Sequence, residues 1–268
     1  MQSIVLSKGE LDFQYKLIQQ GMRIDGRGLN QVRSSDFKYQ ILPLSPASCQ
    51  VFWGNAYNSK TEVIVSISTE IYKTPEAMPH FSVKSLPNSF DDQNDSQICQ
   101  VVQTTLLNFL NNSGVLEPSQ FIIPNSPYSW KLFIDVLIIK AAGAVYEASM
   151  LGIRESLRLL SFPELIISPG ETMGELIFDI DESKPTKKLI NEDKIPYVFT
   201  FAASGDKLLI DPTPLEVTVL GSMVIVCLSK EGNLLGLDHF GNKSIDPEIL
   251  TKVTVKAQDT LQQLLSDQ

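Results

Sequence analysis

The sequence predicts an α+β fold of two domains, and three observations lead to that prediction. The first half mixes strand-like runs with helical patterns, whereas the second half is a succession of strands that ends in one helix. A charged segment with glycine and proline breakers separates the two halves. With 268 residues, of which 43% are hydrophobic, the chain is long enough for two small domains with cores of their own. This order of elements fits sheets that are mixed or antiparallel.

The domain boundaries follow from the same patterns. The connector is assigned to the charged segment because neither helical nor strand periodicity continues through it. We therefore predict an N-terminal helix and arm, a first domain, a connector and a second domain, at residues 1–28, 29–167, 168–193 and 194–268, respectively.

The N-terminal helix is predicted to begin at a capping box. Ser7 and Glu10 have the spacing at which each side chain accepts a hydrogen bond from the other residue's backbone N–H group. Gly21 fits the end of the helix, where glycine readily takes a left-handed conformation. Strand-like runs follow at residues 37–42, 49–53, 61–69 and 80–86.

The rest of the first half is predicted to hold a helix from Ser96, a strand at 130–139 and a long helix. The strand is a nearly continuous apolar run, which is typical of a central strand covered on both faces. Its Asp135 is either a site residue or a buried carboxylate with a local partner, and we favour the second interpretation. The long helix carries a ridge of small residues, namely Ala144, Ala148 and Gly152. Such a ridge predicts close packing against another helix.

The second half is predicted to be a β-meander followed by a helix. Turn residues separate strand-like runs at 196–203, 207–210, 217–228 and 234–239. Asp246 followed by Pro247 predicts the start of the last helix, since aspartate caps a helix well and proline is tolerated in the first turn.

Charge and composition narrow the classes of function. The net charge is −9 and the isoelectric point is about 4.8, whereas a free-standing nucleic-acid binder usually carries a basic excess. No apolar stretch is long enough for a signal peptide or a membrane span, so we expect a soluble intracellular protein. Three cysteines far apart in the sequence favour neither a disulfide framework nor a zinc site. We therefore expect no metal, no cofactor and no membrane partner.

A basic patch, GMRIDGRGLNQVR, follows the first helix and stands out in this acidic chain. Its two inner glycines, Gly26 and Gly28, can allow a tight bend, and Asp25 can pair with a neighbouring arginine. The patch is either a structural bend that docks on another surface, which we favour, or a contact to RNA phosphates. The candidates for RNA contact are Arg23, Arg27 and Arg33 here, and Arg154 and Arg158 on the long helix. For the last two, the favoured alternative is a solvated face with ordinary pairs to Glu155, or a subunit interface.

Three stretches in this order carry a resemblance to a known family: MRIDGRGLNQVR, WKLFIDVLIIKAAGAVYEASMLGIRESL and LLIDPTPLEVTVLGSMVIVCLSKEGNLLGL. Together they resemble the ribonuclease PH (RNase PH) superfamily, and more closely the non-catalytic RNase PH-type ring subunits of the eukaryotic RNA exosome. The resemblance covers roughly residues 5 to 265. It implies a first domain like domain 2 of ribosomal protein S5, with a β-α-β-α order, and a smaller second domain. FIDVLII and KEGNLLGL are most similar to the ring subunit that pairs with the active-type partner in archaea.

The resemblance also implies where an active member would hold its catalytic groups. Active relatives supply paired arginines before the central helix of the first domain and acidic residues spaced along the second domain. Here the first stretch reads PNSFDDQNDSQ, with no arginine and three aspartates. Of the acidic residues, Asp211 and Glu216 are present as remnants, but Val217 stands where a further aspartate is expected. We therefore predict that the chain is not an enzyme. Asp211 also has a structural interpretation, in which its carboxylate bonds to its own Asp-Pro-Thr-Pro turn.

By the same resemblance, the chain would be a structural subunit of a six-membered ring that threads single-stranded RNA to a separate exonuclease. Its partners would be other RNase PH-type subunits, cap subunits of the S1/KH type, the catalytic exoribonuclease and RNA in the channel. It would act in RNA processing and decay in the nucleus, nucleolus and cytoplasm. Two alternatives stay open: one wall of a composite phosphorolytic active site shared with a ring neighbour, and a stand-alone RNA-binding module.

Overall fold

The structure is a computed structural model, and it describes residues 7–54, 60–74, 77–90, 95–170, 176–204 and 207–266. The described chain forms alternating layers of sheet and helix. Helices α2 (Asp95–Ser113) and α3 (Val145–Leu159) lie between a five-stranded sheet and a four-stranded sheet, and α5 (Pro247–Ser266) covers the far face of the second sheet. Helix α1 (Lys8–Gln19) packs at the side, against α4 (Pro214–Leu220).

The first sheet has the order β1-β2-β3-β5-β4, with β4 parallel to β5 and all other pairs antiparallel. Its strands are β1 (Ser35–Tyr39), β2 (Ala47–Trp53), β3 (Thr61–Tyr72), β4 (His80–Ser85) and β5 (Ser129–Lys140). The mixed sheet agrees with the predicted α+β class, and each predicted strand of the first half is present within a few residues. A short 3₁₀ turn at Pro118–Phe121 precedes β5.

Strand β5 is central, but only one of its faces is fully covered. Leu132, Ile134, Val136 and Ile138 point towards α2 and α3 and are buried, whereas alternate residues are partly or fully exposed. Asp135 lies on this open face and is exposed. The expectations of a strand covered on both faces and of a buried Asp135 were therefore wrong, because apolar residues such as Phe133 and Leu137 also occupy the outer face.

Gly152 of helix α3 packs against the first sheet, and the expectation that it allows close approach of another helix was wrong. The extensive contacts of α3 are with β2, β3 and β8, and it touches α2 at few points. A Cβ atom built at Gly152 would lie 2.6 Å from Cγ2 of Val65 and 3.2 Å from Cγ2 of Val51. The absence of a side chain at Gly152 therefore sets how closely the helix approaches the first sheet.

The second sheet is antiparallel, with the order β11-β10-β8-β9. Its strands are β8 (Tyr197–Ser204), β9 (Lys207–Ile210), β10 (Ser222–Leu228) and β11 (Leu234–Gly241). Strands β8 and β10 lie between helix layers, so both of their faces are buried. Val198, Ile225 and Cys227 join the core formed with α2 and α3, which makes one apolar core continuous from the first sheet to the second.

One predicted strand, 217–228, was wrong in its first third. Residues Pro214–Leu220 form helix α4, and only Ser222–Leu228 form a strand. The helix begins with a capping box made by Thr213 and Glu216, and it ends at Gly221, whose φ is +80°. The apolar run through Val217 and Val219 concealed this capping box, although its spacing is visible in the sequence.

The segment predicted as a connector carries regular structure. Strands β6 (Leu165–Pro169) and β7 (Leu176–Ile180) form an antiparallel hairpin, and a further bridge pairs Phe162 with Lys187. Ile166, Ile177 and Ile180 are exposed on the hairpin. None of the helices in the described ranges is both long and apolar enough to cross a bilayer.

We predict that Gly152→Ala lowers the free energy of unfolding by about 1–3 kcal/mol, because the added methyl group would overlap Val65 in a packed core. This loss should exceed the helix propensity of roughly 1 kcal/mol that alanine gains over glycine. Urea unfolding followed by circular dichroism measures the change.

The matched control is Gly9→Ala in α1, where a Cβ atom would have no neighbour within 4 Å. This variant should be neutral or slightly stabilising. Equal effects of the two substitutions would show that packing on the sheet does not constrain Gly152.

Candidate functional site

The basic patch, residues 21–33, follows α1 in the sequence and forms an arm that lies against the start of α4 in space. Helix α1 begins at the predicted capping box of Ser7 and Glu10. Gly21 and Gly26 both have φ of +79°, whereas Gly28 does not take a left-handed conformation, so the predicted bend depends on Gly26. A backbone hydrogen bond of 3.1 Å from the N–H of Ile210 to Leu29 fixes the arm beside β9.

Arg23 is buried and makes a bidentate ion pair with Glu216. Its Nε and Nη2 atoms lie 2.7 and 2.6 Å from the two carboxylate oxygens. Its guanidinium also donates to the backbone oxygens of Ile210 and Asp211, both at 2.9 Å. Glu216 in turn accepts a hydrogen bond of 2.8 Å from the backbone N–H of Thr213, which closes the capping box of α4. One carboxylate therefore both anchors the arm and starts the helix.

Asp211 is the centre of a cluster of charged side chains, which comprises Arg23, Asp25, Arg27, Arg33, Asp211 and Glu216. It is 1% exposed and has a left-handed φ of +49°. Its oxygens accept from Nη2 of Arg33 at 2.6 Å, from Nε and the backbone N–H of the same residue at 2.9 and 2.8 Å, and from Nη1 of Arg27 at 2.9 Å. The interpretation in which this carboxylate bonds to its own turn was wrong, since its partners come from the arm 178 and 184 residues away.

The cluster also holds the loop between β5 and α3. Arg33 donates through Nη1 to the backbone oxygen of Ala142 at 2.8 Å. Gly143 follows with φ of +85°, and a Cβ atom there would lie 2.5 Å from the backbone oxygen of Pro212. The arm, the β5–α3 loop and the β9–α4 segment therefore meet at a point that only glycine can occupy.

The charges of this cluster balance. Three guanidinium groups face three carboxylates, those of Asp25, Asp211 and Glu216. The side chains of Arg23 and Arg33 are 0% and 6% exposed, and that of Arg27 is 10% exposed. A phosphate could bind these arginines only by displacing carboxylates that already occupy them. The pairing of Asp25 with the neighbouring arginines agrees with the favoured structural interpretation of the patch.

The two candidates on α3 have separate partners. The guanidinium of Arg154 lies over the ring of Tyr197, 3.7 Å from its centroid, and hydrogen-bonds to its hydroxyl. Arg158 is about half exposed and pairs with Glu155 at 3.4 Å and Glu192 at 3.3 Å. These contacts match the expected solvated face for Arg158, and RNA contact by either arginine stays a prediction.

Sequence patterns did not indicate the role of Glu147 in the first turn of α3. It is buried between α3 and β8, and its Oε1 accepts from the backbone N–H of Thr200 at 2.5 Å. Its Oε2 has no hydrogen-bond partner in the described structure. Burial, together with the nearby negative charge of Asp211, raises the pKa of Glu147 to about 7.

A cleft of about 350 Å³ lies beside the cluster, between α2, the start of α3 and α4. We call it the α2–α4 cleft. Its walls are mainly apolar, with Phe90, Ile98, Val145, Tyr146, Val217 and Phe240 among them, and its polar lining includes Gln97, Thr200 and Thr218. Val217, where active relatives would hold an aspartate, therefore faces the cleft. No lysine or arginine is among the described residues that line it.

The stretch PNSFDDQNDSQ borders this cleft through Phe90 and Gln97. Asp91 and Asp92 lie outside the described residues, while Asp95 begins α2. The described part of the chain contains no group of three or more histidine, cysteine or acidic side chains with the geometry of a metal site.

We predict that Asp211→Asn lowers the free energy of unfolding by about 3–5 kcal/mol, because it leaves two guanidinium groups without their shared charge in a buried place. Asparagine tolerates the left-handed backbone at this position, so the loss of stability results from the missing charge and not from backbone strain. Chemical denaturation measures it. Asp193→Asn, which removes an exposed pair with Lys230, is the control and should change stability by less than about 1 kcal/mol. Equal effects would contradict a structural role for the cluster.

The raised pKa of Glu147 predicts a pH dependence of stability. Between pH 4.5, which is the ordinary pKa of this carboxyl group, and about pH 7, Glu147 holds a proton in the folded state that it has lost in the unfolded chain. The contribution of Glu147 is therefore most favourable below pH 4.5, and it falls as pH rises to about 7, by on the order of a few kcal/mol. Glu147→Gln should remove this fall in urea midpoints measured from pH 5 to 8. An unchanged pH profile would show that the carboxyl ionises normally.

The proteins that are similar to this chain share one description. No family model matches the sequence. The chain is 22% identical over 262 residues to the exosome complex component Rrp42 of Methanothermobacter thermautotrophicus, covering 93% of this chain and 90% of that protein. It is 20% identical to the exosome complex component RRP45A of Arabidopsis thaliana, covering 91% of this chain and 80% of the relative.

Solved structures show the same fold. A chain of the Archaeoglobus fulgidus exosome with RNA bound to the active site superposes with a TM-score of 0.72 at 19% identity, covering 96% of this chain and 97% of that one. The fold is therefore the mixed α+β, RNase PH-like fold that the sequence predicted, although one apolar core runs through both sheets in place of two separate cores. The chain is thus similar over nearly its whole length to archaeal and plant exosome components, and it has the fold of a chain of the archaeal exosome core.

Proposed function

We propose that this chain is a non-catalytic structural subunit of a hexameric RNase PH-type ring in an RNA exosome. In this role it helps to form the channel that threads single-stranded RNA to a separate exonuclease. The observation that carries the proposal is the state of Asp211: the acidic residue shared with active relatives gives its oxygens to Arg27 and Arg33.

The electrostatics of the α2–α4 cleft support the non-catalytic part of the proposal. Phosphorolysis needs preorganised positive charge for inorganic phosphate and an acidic group to assist the leaving oxygen. The described lining of the cleft offers no cation, and the carboxylate of Asp211 is already paired with Arg27 and Arg33. Among the described residues, the positive charge required for the phosphate is missing from the cleft, and Asp211 is not free to act as the acid.

The extent of the similarity supports the ring part of the proposal. Because the match to archaeal Rrp42 reaches 93% of this chain, both halves of the fold correspond to those of an exosome component. We therefore propose that its partners are other RNase PH-type subunits, S1/KH-type cap subunits, a catalytic exoribonuclease and RNA in the assembled channel. The corresponding locations are the nucleus, the nucleolus and the cytoplasm.

The proposal predicts that the purified chain releases no nucleoside diphosphates from RNA in the presence of inorganic phosphate. Thin-layer chromatography of labelled products, with an active RNase PH as control, tests this directly. Native mass spectrometry of the affinity-purified complex should show six RNase PH-type chains together with cap subunits.

Two results would contradict these expectations. Phosphate-dependent degradation by the isolated chain would contradict the non-catalytic role, and a chain recovered alone would contradict the ring. Phosphate-dependent activity that arises only when a ring neighbour is added would instead favour the composite active site.

A further inference from the structure

Strand β1 lies at one end of the first sheet, so one of its edges has no neighbouring strand in the described structure. On its other edge, backbone N–H groups donate from Gln40 to Ser48 and from Gly54 to Ser34. In an antiparallel pair, every second residue directs its backbone groups to the partner strand. The even-numbered residues of β1 therefore bond to β2, and the odd-numbered ones direct their N–H and C=O groups to the open edge. These residues are Ser35, Phe37 and Tyr39.

Two aromatic side chains lie beside these unpaired backbone groups. Phe37 and Tyr39 are 41% and 45% exposed, and their rings meet edge to face with centroids 5.3 Å apart. They lie on the helix side of the sheet, where the hydroxyl of Tyr39 donates to Glu155 of α3 at 2.9 Å. An open strand edge with exposed aromatic side chains is suited to the addition of another strand.

The other side of β1 carries one charge of each sign. Asp36 and Lys38 are exposed and lie on the outer face of the sheet, as do their partners on β2, Phe52 and Gln50. Nζ of Lys38 is 5.4 Å from the centroid of the Phe52 ring. Lysine on an edge strand usually discourages pairing with other chains. Here an aspartate two residues away can offset the lysine of an incoming strand.

A second copy of β1 complements this edge when it runs antiparallel with the two Phe37 residues opposite each other. Asp36 then faces Lys38 of the second copy, and the two-fold symmetry creates this pair twice. Ser35 faces Tyr39 in the same way. The odd-numbered residues form the hydrogen-bonded pairs, as their free backbone groups require. Asp36 and Lys38 form non-hydrogen-bonded pairs, in which cross-strand side chains approach most closely.

Other alignments lose this complementarity. A shift of two residues places Lys38 opposite Lys38 or Asp36 opposite Asp36, and like charges opposite each other are destabilising. A parallel arrangement in register also brings like charges side by side. A shift of one residue sets the aromatic residues of one copy against the charged residues of the other on the wrong face.

The helix layer leaves room for the second copy. Helix α3 packs over β2 and β3. In the paired arrangement the two α3 helices would lie about four strand spacings, or roughly 19 Å, apart. A helix with its side chains is roughly 10–12 Å wide, so the helices do not collide. Phe37 and Tyr39 of both copies lie in the space between them.

We propose that two copies of this chain associate through their β1 edges and join their first sheets into one continuous sheet. The partner is a second copy because β1 is complementary to itself in charge, in apolar side chains and in backbone hydrogen bonding. The interface is isologous, with its two-fold axis at Phe37. This inference goes beyond the proposed ring and does not depend on it.

Sedimentation velocity of the full chain over a range of concentrations tests the proposal. The mass should rise with concentration from the 29.8 kDa of the monomer towards twice that value. Lys38→Glu places a glutamate opposite Asp36, and Asp36→Lys places a lysine opposite Lys38. Because either change turns two attractions into two repulsions, each should raise the dissociation constant by about tenfold or more.

A mixture of the two variants makes the test specific. The Lys38→Glu chain presents two acidic residues and the Asp36→Lys chain presents two lysines, so equal amounts of both should associate at least as tightly as the native chain. Lys252→Glu, at an exposed position on α5, makes the same change of charge away from β1. This control should associate like the native chain.

Amide hydrogen exchange locates the contact. Protection of the Phe37 and Tyr39 amides should increase with protein concentration, and Lys38→Glu should abolish this increase. The Lys38 amide should be protected at every concentration in the native chain, because it already bonds to β2.

The proposal is overturned if the native chain stays monomeric, if Lys38→Glu associates like the native chain, or if the mixed variants do not associate. Protection of Phe37 and Tyr39 that does not depend on concentration would also overturn it, since the edge would then be covered from within the chain. None of these results contradicts the ring, which native mass spectrometry of the purified complex tests separately.

Discussion

The buried carboxylate of Asp211 organises this molecule. It joins three segments that are distant in sequence: the arm through Arg27 and Arg33, the β9–α4 segment that contains it, and, through Arg33, the loop before α3. Burying charges is costly, and the cost is offset only when every charge has close partners in good geometry. The fork-shaped pairing of Arg33 with Asp211 and of Arg23 with Glu216 meets that condition. The position of α4, and with it one wall of the α2–α4 cleft, therefore depends on the arm.

The same pairing explains how an arginine-rich motif can exist in this acidic chain without forming an anion site. A guanidinium group whose donors are used by carboxylates and backbone oxygens has little capacity left for phosphate. The arm therefore has a structural role, since it connects α1 to the second sheet. The neighbouring cleft has a mainly apolar lining, and no lysine or arginine is among the described residues that line it.

Local sequence patterns were sufficient for most of the elements and insufficient for the contacts. Capping boxes, alternation and turn residues predicted α1, the strands of the first sheet and the start of α5, because these features depend on neighbours within a few residues. Helix α4 was missed because its apolar residues resemble a strand, although Thr213 and Glu216 have the spacing of a capping box. The exposure of Asp135 and the packing of Gly152 on the sheet depend on which layers meet, which no local pattern specifies. The partners of Asp211 lie more than 170 residues away in sequence and could not be found from turn chemistry.

The central claim is that the arginines of the arm are structural and unavailable to phosphate or RNA. The Nε–H groups of Arg23 and Arg33 donate to buried carboxylates, so their signals report the state of the cluster directly. We expect these signals to be protected from hydrogen exchange in ¹H–¹⁵N spectra and to keep their positions when inorganic phosphate or single-stranded RNA is added. Rapid exchange, or a saturable shift of either signal with phosphate or RNA, would contradict the account and make the arm an anion-binding site.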